Sequence, residues 1–171
     1  MKPVVVLSGP VGAGKTSVAW ELIALSPGPV AYIEGDLFWS FFVKGGEEKT
    51  RLESFRTIMR SMTAASVPFA LADNEVILDF TIPPWYLPTV KKVLDFRNVP
   101  LDYVVFRPSE AVCAARAAAR PEGKIADYSP YRELYAEFDK VEKHWVGDDT
   151  SSAAEVAAQI RAGLDAGRFR V

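Results

Sequence analysis

Residues 4–16 read VVVLSGPVGAGKT, and this stretch decides the fold of the chain. Its first part, residues 4–7, is continuously apolar, which is typical of a strand buried on both faces of a parallel sheet. The next part, residues 9–16, matches the pattern G-x-x-x-x-G-K-[ST]. Apolar residues then recur at helical spacing over residues 18–25. A buried strand, a glycine-rich turn and an amphipathic helix, in this order, predict a phosphate-binding loop.

The residue types in this loop suit phosphate chemistry. Glycines let backbone N–H groups turn inward around phosphate oxygens, and the following helix N-terminus adds the positive end of its dipole. We expect Lys15 to reach the β- and γ-phosphates of ATP and the Thr16 hydroxyl to ligate Mg²⁺. A chance glycine turn before a helix is disfavoured, because the required strand and helix are both present. The predicted ATP-binding residues are Gly9, Pro10, Val11, Gly12, Ala13, Gly14, Lys15, Thr16 and Ser17.

The composition excludes several classes of protein. The chain has 171 residues and a formal net charge of −2, whereas a nucleic-acid-binding face needs clustered Lys and Arg. Cys113 and His144 are the only residues of their types, so an internal disulfide or a Cys/His zinc cluster is out of reach. No apolar run approaches the roughly 18–20 residues of a membrane span. We therefore expect a cytoplasmic protein, monomeric or homodimeric, without nucleic-acid or membrane partners.

Short β-branched runs alternate with longer amphipathic segments along the chain. This alternation predicts an α/β fold with a mostly parallel sheet. The five predicted strands are residues 4–7, 30–34, 76–79, 101–106 and 144–146. Predicted helices include residues 36–42, 50–65, 109–120 and 130–143, and a polar loop is predicted at 44–49. No interdomain linker interrupts the pattern, so we expect one domain over residues 1–171.

The third predicted strand bears on the class of reaction. A hydrolytic ATPase with this loop usually ends that strand with adjacent Asp and Glu, one for the metal and one to activate water. Here Asp79 supplies the metal-side carboxylate, but Phe80 replaces the glutamate. The chain also lacks the Asn-Lys-x-Asp tetrapeptide of GTPases. Both absences favour phosphoryl transfer to a substrate over regulated hydrolysis, with Asp79 as a candidate metal ligand beside Thr16.

A carboxylate follows the second predicted strand, in the segment IEGD. Asp36 is placed at the carboxyl edge of the sheet, where ligands of open α/β sheets bind. Such a group can accept the proton of an attacking hydroxyl, as the catalytic-loop aspartate of protein kinases does. The alternative is that Asp36 only caps the next helix. Glu34 is the weaker candidate base, because it lies one step back in the strand.

Two arginines are candidates for a lid over the phosphates. Arg116 and Arg120 lie four residues apart, on one face of a predicted helix. The basic, irregular segment after them predicts a mobile lid over residues 116–128, which would bring a guanidinium to the γ-phosphate. The alternative is two solvated arginines favoured by the dipole at a helix C-terminus.

The segments GPVGAGKT, IEGD and VILDF and the Arg-x-x-x-Arg helix, in this order, resemble the small P-loop metabolite kinases. The resemblance is greatest to chloramphenicol phosphotransferase-like kinases and smaller to shikimate and gluconate kinases. It implies a three-layer P-loop NTPase fold, with a five-stranded parallel sheet, helices on both faces and a short lid. It also implies ATP with Mg²⁺, a catalytic base at Asp36 and lid arginines at Arg116 and Arg120. Phe80 departs from the paired Asp-Asp of the chloramphenicol enzymes.

The expected function is ATP-dependent transfer of the γ-phosphoryl group to a hydroxyl of a small molecule. Aromatic residues at 37–42 and 81–86 follow the two strand-end carboxylates, where kinases of small anionic acceptors place arginines. These aromatics favour an apolar or aromatic acceptor if they line a pocket, although aromatic side chains on helices more often belong to the core. The predicted acceptor-binding region is 36–66, in which Arg51, Arg56 and Arg60 are possible anion contacts.

Two other functions are compatible with the same motifs. One is a nucleoside or nucleotide kinase, which predicts binding of a second nucleotide. The other is a nucleotide-binding regulatory module, which predicts ATP binding without acceptor-dependent release of ADP.

Overall fold

The computed structural model describes residues 2–44 and 50–171. The strands are β1 (Val4–Ser8), β2 (Val30–Glu34), β3 (Glu75–Asp79), β4 (Leu101–Phe106) and β5 (Trp145–Val146). The α-helices are α1 (Lys15–Ala24), α2 (Arg51–Leu71), α3 (Leu87–Asp95), α4 (Glu110–Ala118), α5 (Arg132–Glu137) and α6 (Ala153–Asp165). Short 3₁₀-helices occupy Gly35–Phe41, Pro84–Tyr86, Ser129–Tyr131 and Phe138–His144. Most of the predicted loop at 44–49 lies outside the described residues.

All five strands run parallel in one sheet of order β2-β3-β1-β4-β5. In the register of this sheet, Asp79 lies opposite both Leu7 and Glu34. The carboxyl ends of β1, β2 and β3 therefore meet at one edge, next to the turn that follows β1. The predicted P-loop NTPase fold with a five-stranded parallel sheet is confirmed.

Helices cover both faces of the sheet because the strands are apolar on both sides. In β1, Val4 and Val6 point into a core beneath α2 and α3, whereas Val5 and Leu7 point into a second core beneath α1 and α6. Side chains alternate faces along a strand, so a continuously apolar strand requires a helical layer on each side.

Several predicted boundaries were wrong. The second helix runs six residues beyond the predicted end at 65, and it accommodates Pro68 while it buries Ser66 and Ala70. The predicted helix at 130–143 is broken into α5 and two 3₁₀ segments, with a non-helical Val141. The helix that carries Arg116 ends at Ala118, so Arg120 lies beyond it rather than on the same helical face.

Buried His144 makes the stability of the fold depend on pH. Burial, assisted by the charge of Lys143, lowers the pKa of the imidazole below 6.5, and Nδ1 has no hydrogen-bond partner among the described residues. The imidazole of His144 therefore binds a proton more readily in the unfolded chain than in the folded one. As a result, the free energy of unfolding decreases as pH falls below about 6.5.

We expect the free energy of unfolding to fall towards acid pH with a slope of at most about 1.4 kcal/mol per pH unit from this residue. His144→Phe keeps a ring against Tyr103 and removes this contribution to the slope. Urea unfolding at a series of pH values between 5 and 8, on both proteins, measures the difference. Equal slopes for the two proteins would contradict the assignment.

Candidate active site

The loop between β1 and α1 has the backbone conformation of a phosphate cradle. Gly12 has a φ of +82°, and a Cβ on it would lie 2.1 Å from the carbonyl oxygen of Cys113 on α4, so only glycine fits there. Gly14 occupies the N-cap of α1, and no side chain caps that helix. The first N–H groups of α1 are therefore available to an anion.

Lys15 folds back over this loop. Its Nζ donates hydrogen bonds to the carbonyl oxygens of Gly9 at 3.3 Å and Pro10 at 3.0 Å. Burial lowers the pKa of the ammonium, whereas the carboxylates of Asp79 and Asp36 oppose that shift. The cation and both carboxylates therefore share one site, where a phosphate chain would meet the Lys15 charge.

Thr16, Asp79 and Tyr32 form a hydrogen-bonded cluster at the base of the site. The Thr16 hydroxyl donates to Asp79 Oδ2 at 2.7 Å, and the Tyr32 hydroxyl donates to the same oxygen at 2.8 Å. Burial, followed by the Asp79 charge, raises the pKa of Tyr32, so its phenol stays protonated as a donor. Because Thr16 directs its proton to Asp79, the lone pairs of its oxygen stay free for a cation.

These donors fit Mg²⁺, which is usually held by one or two carboxylates, substrate phosphates and several waters rather than by an all-protein cage. Within the described ranges no group of three or more His, Cys, Asp or Glu residues could hold a metal.

The structure places Asp36 in the cleft as an exposed side chain in the first turn of the 3₁₀-helix that follows β2. It is not the helix cap: Glu34 occupies the N-cap position, and no side chain makes a capping hydrogen bond there. Burial, with the charges of Asp79 and Asp36, raises the pKa of Glu34. Of the two carboxylates after β2, Asp36 is thus the more open to solvent.

Arg116 and Arg120 both line the cleft, although only Arg116 is on α4. The Arg116 guanidinium lies 3.7 Å from the place a Cβ on Gly14 would take, and the Arg120 charge faces Lys15 closely enough to lower its pKa. Both arginines thus lie in the cleft near the phosphate loop, and both are exposed to solvent in this structure.

The segment predicted as a lid is attached to the domain at both ends. The Ile125 N–H donates to the Ala117 carbonyl at 3.1 Å, and the buried Tyr128 donates its hydroxyl to the Val11 carbonyl of the phosphate loop at 2.7 Å. Within the loop that the Ala117–Ile125 hydrogen bond closes, Gly123 has a φ of +63° and no neighbour that a Cβ would meet. Ala118 still belongs to α4 and the Ala119 N–H donates to the Ala115 carbonyl at 3.0 Å, so the part of the predicted lid without a described hydrogen bond is residues 120–124.

These side chains line one cleft of about 1220 Å³. Its phosphate end contains Gly12, Gly14, Lys15, Thr16, Ser17, Glu34, Asp36, Asp79, Arg116 and Arg120. Its other end contains Trp39, Arg51, Leu52, Phe55, Phe80, Trp85 and Leu134. The cleft thus joins a charged site to a largely apolar one, with Asp36 and Asp79 at the phosphate end.

The aromatic residues at 37–42 divide between core and cleft. Phe38 and Phe42 pack against the core, Trp39 packs there and also lines the cleft, and Phe41 is exposed.

The arginines of α2 divide in the same way. Arg51 lines the cleft, whereas Arg56 and Arg60 are exposed and are not among its described lining residues. In the described part of the predicted acceptor region, one arginine rather than three reaches the cleft.

A second cavity of about 340 Å³ lies on the other side of the phosphate loop. It shares Gly14, Ser17 and Arg116 with the large cleft and is closed by the turn after β5. In that turn, Asp148 accepts hydrogen bonds from the N–H groups of Thr150 at 2.8 Å and Ser151 at 2.7 Å, which lowers its pKa to about 2. The turn is thus held rigid against the cavity.

Sequence reasoning missed Tyr32, Tyr128 and Thr81. Thr81 donates its hydroxyl to the Gly9 carbonyl at 3.0 Å and so ties the end of β3 to the phosphate loop. Tyr32 lies two residues before the end of β2, so its phenol can reach the edge of the sheet. This position is the hint in the sequence that Tyr32 belongs to the site. Nothing in the sequence relates Tyr128 to Val11, since 117 residues separate them.

A family model described as AAA domain matches residues 4–136. Many solved structures share the fold, and three of them follow. A sugar kinase from Janibacter sp. HTCC2649 has a TM-score of 0.72 at 17% identity, over 96% of this chain and 95% of that one. The tunicamycin resistance protein of Deinococcus radiodurans has a TM-score of 0.69 at 17% identity, over 96% of each of the two chains. The APS kinase CysC of Mycobacterium tuberculosis, in complex with AMPPNP and APS, has a TM-score of 0.69 at 18% identity. The match covers 96% of this chain and 98% of that one.

The comparison with curated proteins gives no match. The likeness to small P-loop kinases is confirmed at the level of fold, whereas the closer resemblance to chloramphenicol phosphotransferase-like kinases is not confirmed. In the described part of the chain, no helix is long and apolar enough to cross a membrane.

Proposed function

We propose that this chain, which belongs to the AAA domain family, is a kinase. It transfers the γ-phosphoryl group of ATP to a hydroxyl of a small molecule. The observation that carries this proposal is the shared cleft, in which Lys15 and Thr16 of the phosphate loop lie together with the exposed carboxylate of Asp36. A phosphate-binding loop supplies the donor site, and a solvent-open carboxylate beside it supplies a base for an acceptor.

The phosphate loop and the N-terminus of α1 are proposed to bind the triphosphate of ATP. Lys15 would exchange its two carbonyl contacts for phosphate oxygens. The second cavity, between Ser17 and the rigid turn at Asp148, would take the base and ribose. When bound, Mg²⁺ neutralises charge on the β- and γ-phosphates. Thr16 and Asp79 would hold it, and Tyr32 fixes the orientation of the Asp79 carboxylate.

Asp36 is proposed as the catalytic base. Its carboxylate takes the proton of the acceptor hydroxyl as the acceptor oxygen attacks the γ-phosphorus. A new bond forms between that oxygen and phosphorus, the bond from phosphorus to the β,γ-bridging oxygen breaks, and its electron pair leaves on ADP. Glu34 is less suited to this role, because its raised pKa makes it the carboxylate more easily kept protonated beside Asp79 and Asp36.

The lid arginines are proposed to neutralise charge during transfer. Arg120 follows the end of α4 and belongs to the stretch between the two lid anchors, so it is the residue better placed to move. Arg116 is on the rigid helix beside Gly14, which suits a constant contact with phosphate. A guanidinium that reaches the γ-phosphate in the transition state accelerates transfer without tightening ground-state binding.

Arg120→Ala is therefore expected to lower kcat by about 10- to 100-fold and to change the KM for ATP by less than about threefold. Steady-state kinetics at varied ATP, with ADP release as the readout, measure both constants. Arg97→Ala, which removes an arginine paired with Phe96 outside the cleft, is the matched control. A loss confined to KM would contradict the proposed transition-state role.

The experiment that tests the function is a coupled ADP-release screen over sugars, nucleosides, hydroxy acids and aromatic alcohols. The proposal expects release that depends on one class of acceptor and a phosphorylated product visible by ³¹P NMR. A nucleoside or nucleotide acceptor would instead identify the alternative kinase. ATP binding without acceptor-dependent release over the whole panel would sink the kinase proposal and favour a regulatory module.

A further inference from the structure

Four aromatic side chains line the acceptor end of the cleft: Trp39, Phe55, Phe80 and Trp85. We refer to them as the aromatic wall. They come from the 3₁₀-helix after β2, from α2, from the end of β3 and from the turn before α3. Rings from four separate elements thus line the same cleft. Because this cleft is open to solvent, packing of the core does not by itself explain why the rings gather there.

Phe80 is the fixed part of the aromatic wall. It is 5% exposed, and its ring packs so closely on Gly35 that a Cβ on that glycine would lie 2.3 Å from the ring. On the other side, the rings of Phe55 and Phe80 lie 5.2 Å apart. Because Gly35 directly precedes Asp36, Phe80 places an aromatic surface beside the backbone of the proposed base.

Trp85 is the open part of the aromatic wall. It is 41% exposed in the cleft, yet the Arg56 guanidinium lies 5.4 Å from its ring centroid. The Tyr86 hydroxyl in turn donates to the Arg56 carbonyl at 3.0 Å. The charge of Arg56 is thus directed to an aromatic ring rather than to the cleft. An exposed indole that lines the cleft offers a large, flat apolar surface to the ring of a ligand.

The charges around the aromatic wall disfavour a compact acid as acceptor. The Asp36 carboxylate lies at the reacting end and would repel a carboxylate next to the reacting hydroxyl. Lys15, Arg116 and Arg120 are assigned to the nucleotide and Asp79 to the metal, which leaves Arg51 as the cation of the acceptor end among the described lining residues. A compact acid would therefore meet Asp36 beside its hydroxyl and aromatic rings around it.

We infer that the acceptor is an alcohol that carries a flat apolar ring, and that Phe55 and Trp85 determine this specificity by ring–ring contact, with the buried Phe80 ring packed against Phe55. The inference rests on the proposed kinase function. The transfer is the step given above: the ring-bearing alcohol loses its hydroxyl proton to Asp36 and gains the γ-phosphoryl group, and ADP leaves. An aromatic contact contributes about 0.5–1.5 kcal/mol beyond the area that it buries, which is a factor of about 2 to 13 in binding.

The test compares 2-phenylethanol with 2-cyclohexylethanol, which differ in the flatness of the ring, and with glucose, gluconate and uridine. The first readout is acceptor-dependent ADP release. We expect kcat/KM for 2-phenylethanol to exceed that for each other compound by at least about threefold. Phe55→Leu and Trp85→Leu should each raise the KM for 2-phenylethanol about 3- to 10-fold and leave the KM for ATP unchanged. Phe96→Leu, at an 81% exposed phenylalanine outside the cleft, is the matched control.

The second readout is saturation-transfer NMR of 2-phenylethanol on the protein with AMPPNP, which does not require turnover. Weaker transfer in Phe55→Leu than in Phe96→Leu supports the aromatic wall even if no ADP is released, and in that case only the kinase proposal fails. Preferred turnover of glucose or gluconate overturns the inference and leaves the kinase proposal intact, whereas preferred turnover of uridine overturns the inference and identifies the alternative nucleoside kinase. Equal transfer from 2-cyclohexylethanol, or transfer unchanged in both leucine variants, also overturns it.

Discussion

Replacement of Asp36 by asparagine is expected to lower kcat by about 10²- to 10⁴-fold and to leave the affinity for ATP close to that of the natural protein. The asparagine side chain has nearly the same shape, so the cleft keeps its form, but an amide cannot accept the acceptor proton. Asp36 caps no helix by a side-chain hydrogen bond, and it is exposed, so its loss should not unfold the chain. Single-turnover rates with an accepted alcohol, together with AMPPNP titration, separate chemistry from binding.

Glu34→Gln is the matched comparison for this variant. Both substitutions replace a carboxyl group by an amide of nearly the same shape in one cluster, which also contains Asp79. If Asp36 is the base, the Glu34→Gln enzyme keeps most of its turnover, whereas a general loss of charge would affect the two variants equally. Turnover of Asp36→Asn at the natural rate, or a greater loss in Glu34→Gln, would move the catalytic role away from Asp36.

Lys15→Ala is expected to lower kcat by about 10²- to 10³-fold and to weaken ATP binding as well. The ammonium is the cation nearest the loop carbonyls, with Nζ 3.0 Å from the Pro10 oxygen, and its burial makes its charge act in a site poor in water. Without it, the phosphate chain would face Asp36 and Asp79 with one less compensating charge. The measurements are steady-state kinetics and isothermal titration with AMPPNP.

Lys91→Ala is the control for the loss of a lysine, because Lys91 is on α3 and pairs with Asp95 at the surface. Thermal unfolding of both variants checks that the fold is retained. Lys15→Arg adds a second comparison, since it keeps the charge but changes the shape of the cation. An alanine variant with natural turnover would remove Lys15 from the proposed mechanism.

Much of the fold could be predicted because the residue types of each strand indicate whether its faces are buried. β2 and β4 have the predicted limits, since β-branched and apolar runs bounded by turn residues leave little freedom. The helices were less predictable. Pro68 suggests an end to α2, yet burial of Ser66 and Ala70 against the sheet extends it. Tertiary packing outweighs local propensity there.

Part of the candidate site could be predicted for the same reason. Lys15, Asp36 and Asp79 each follow a recognisable strand, and parallel strands bring their carboxyl ends to one edge. The contacts that hold these groups could not be predicted. Tyr32 reaches Asp79 on the neighbouring strand, and Tyr128 reaches the phosphate loop from the far end of the lid.

The sequence by itself determined the phosphate loop, the five strands and the carboxylates that end two of them, because these features depend on neighbours within a few residues. Only the tertiary structure decided which aromatic residues line the cleft. Trp39 faces it while Phe38 packs on the core, and Arg51 reaches it while Arg56 stacks on Trp85. The physical reason is that a side chain's partners at a sheet edge come from several elements, whose spacing is set by the packing of the whole domain.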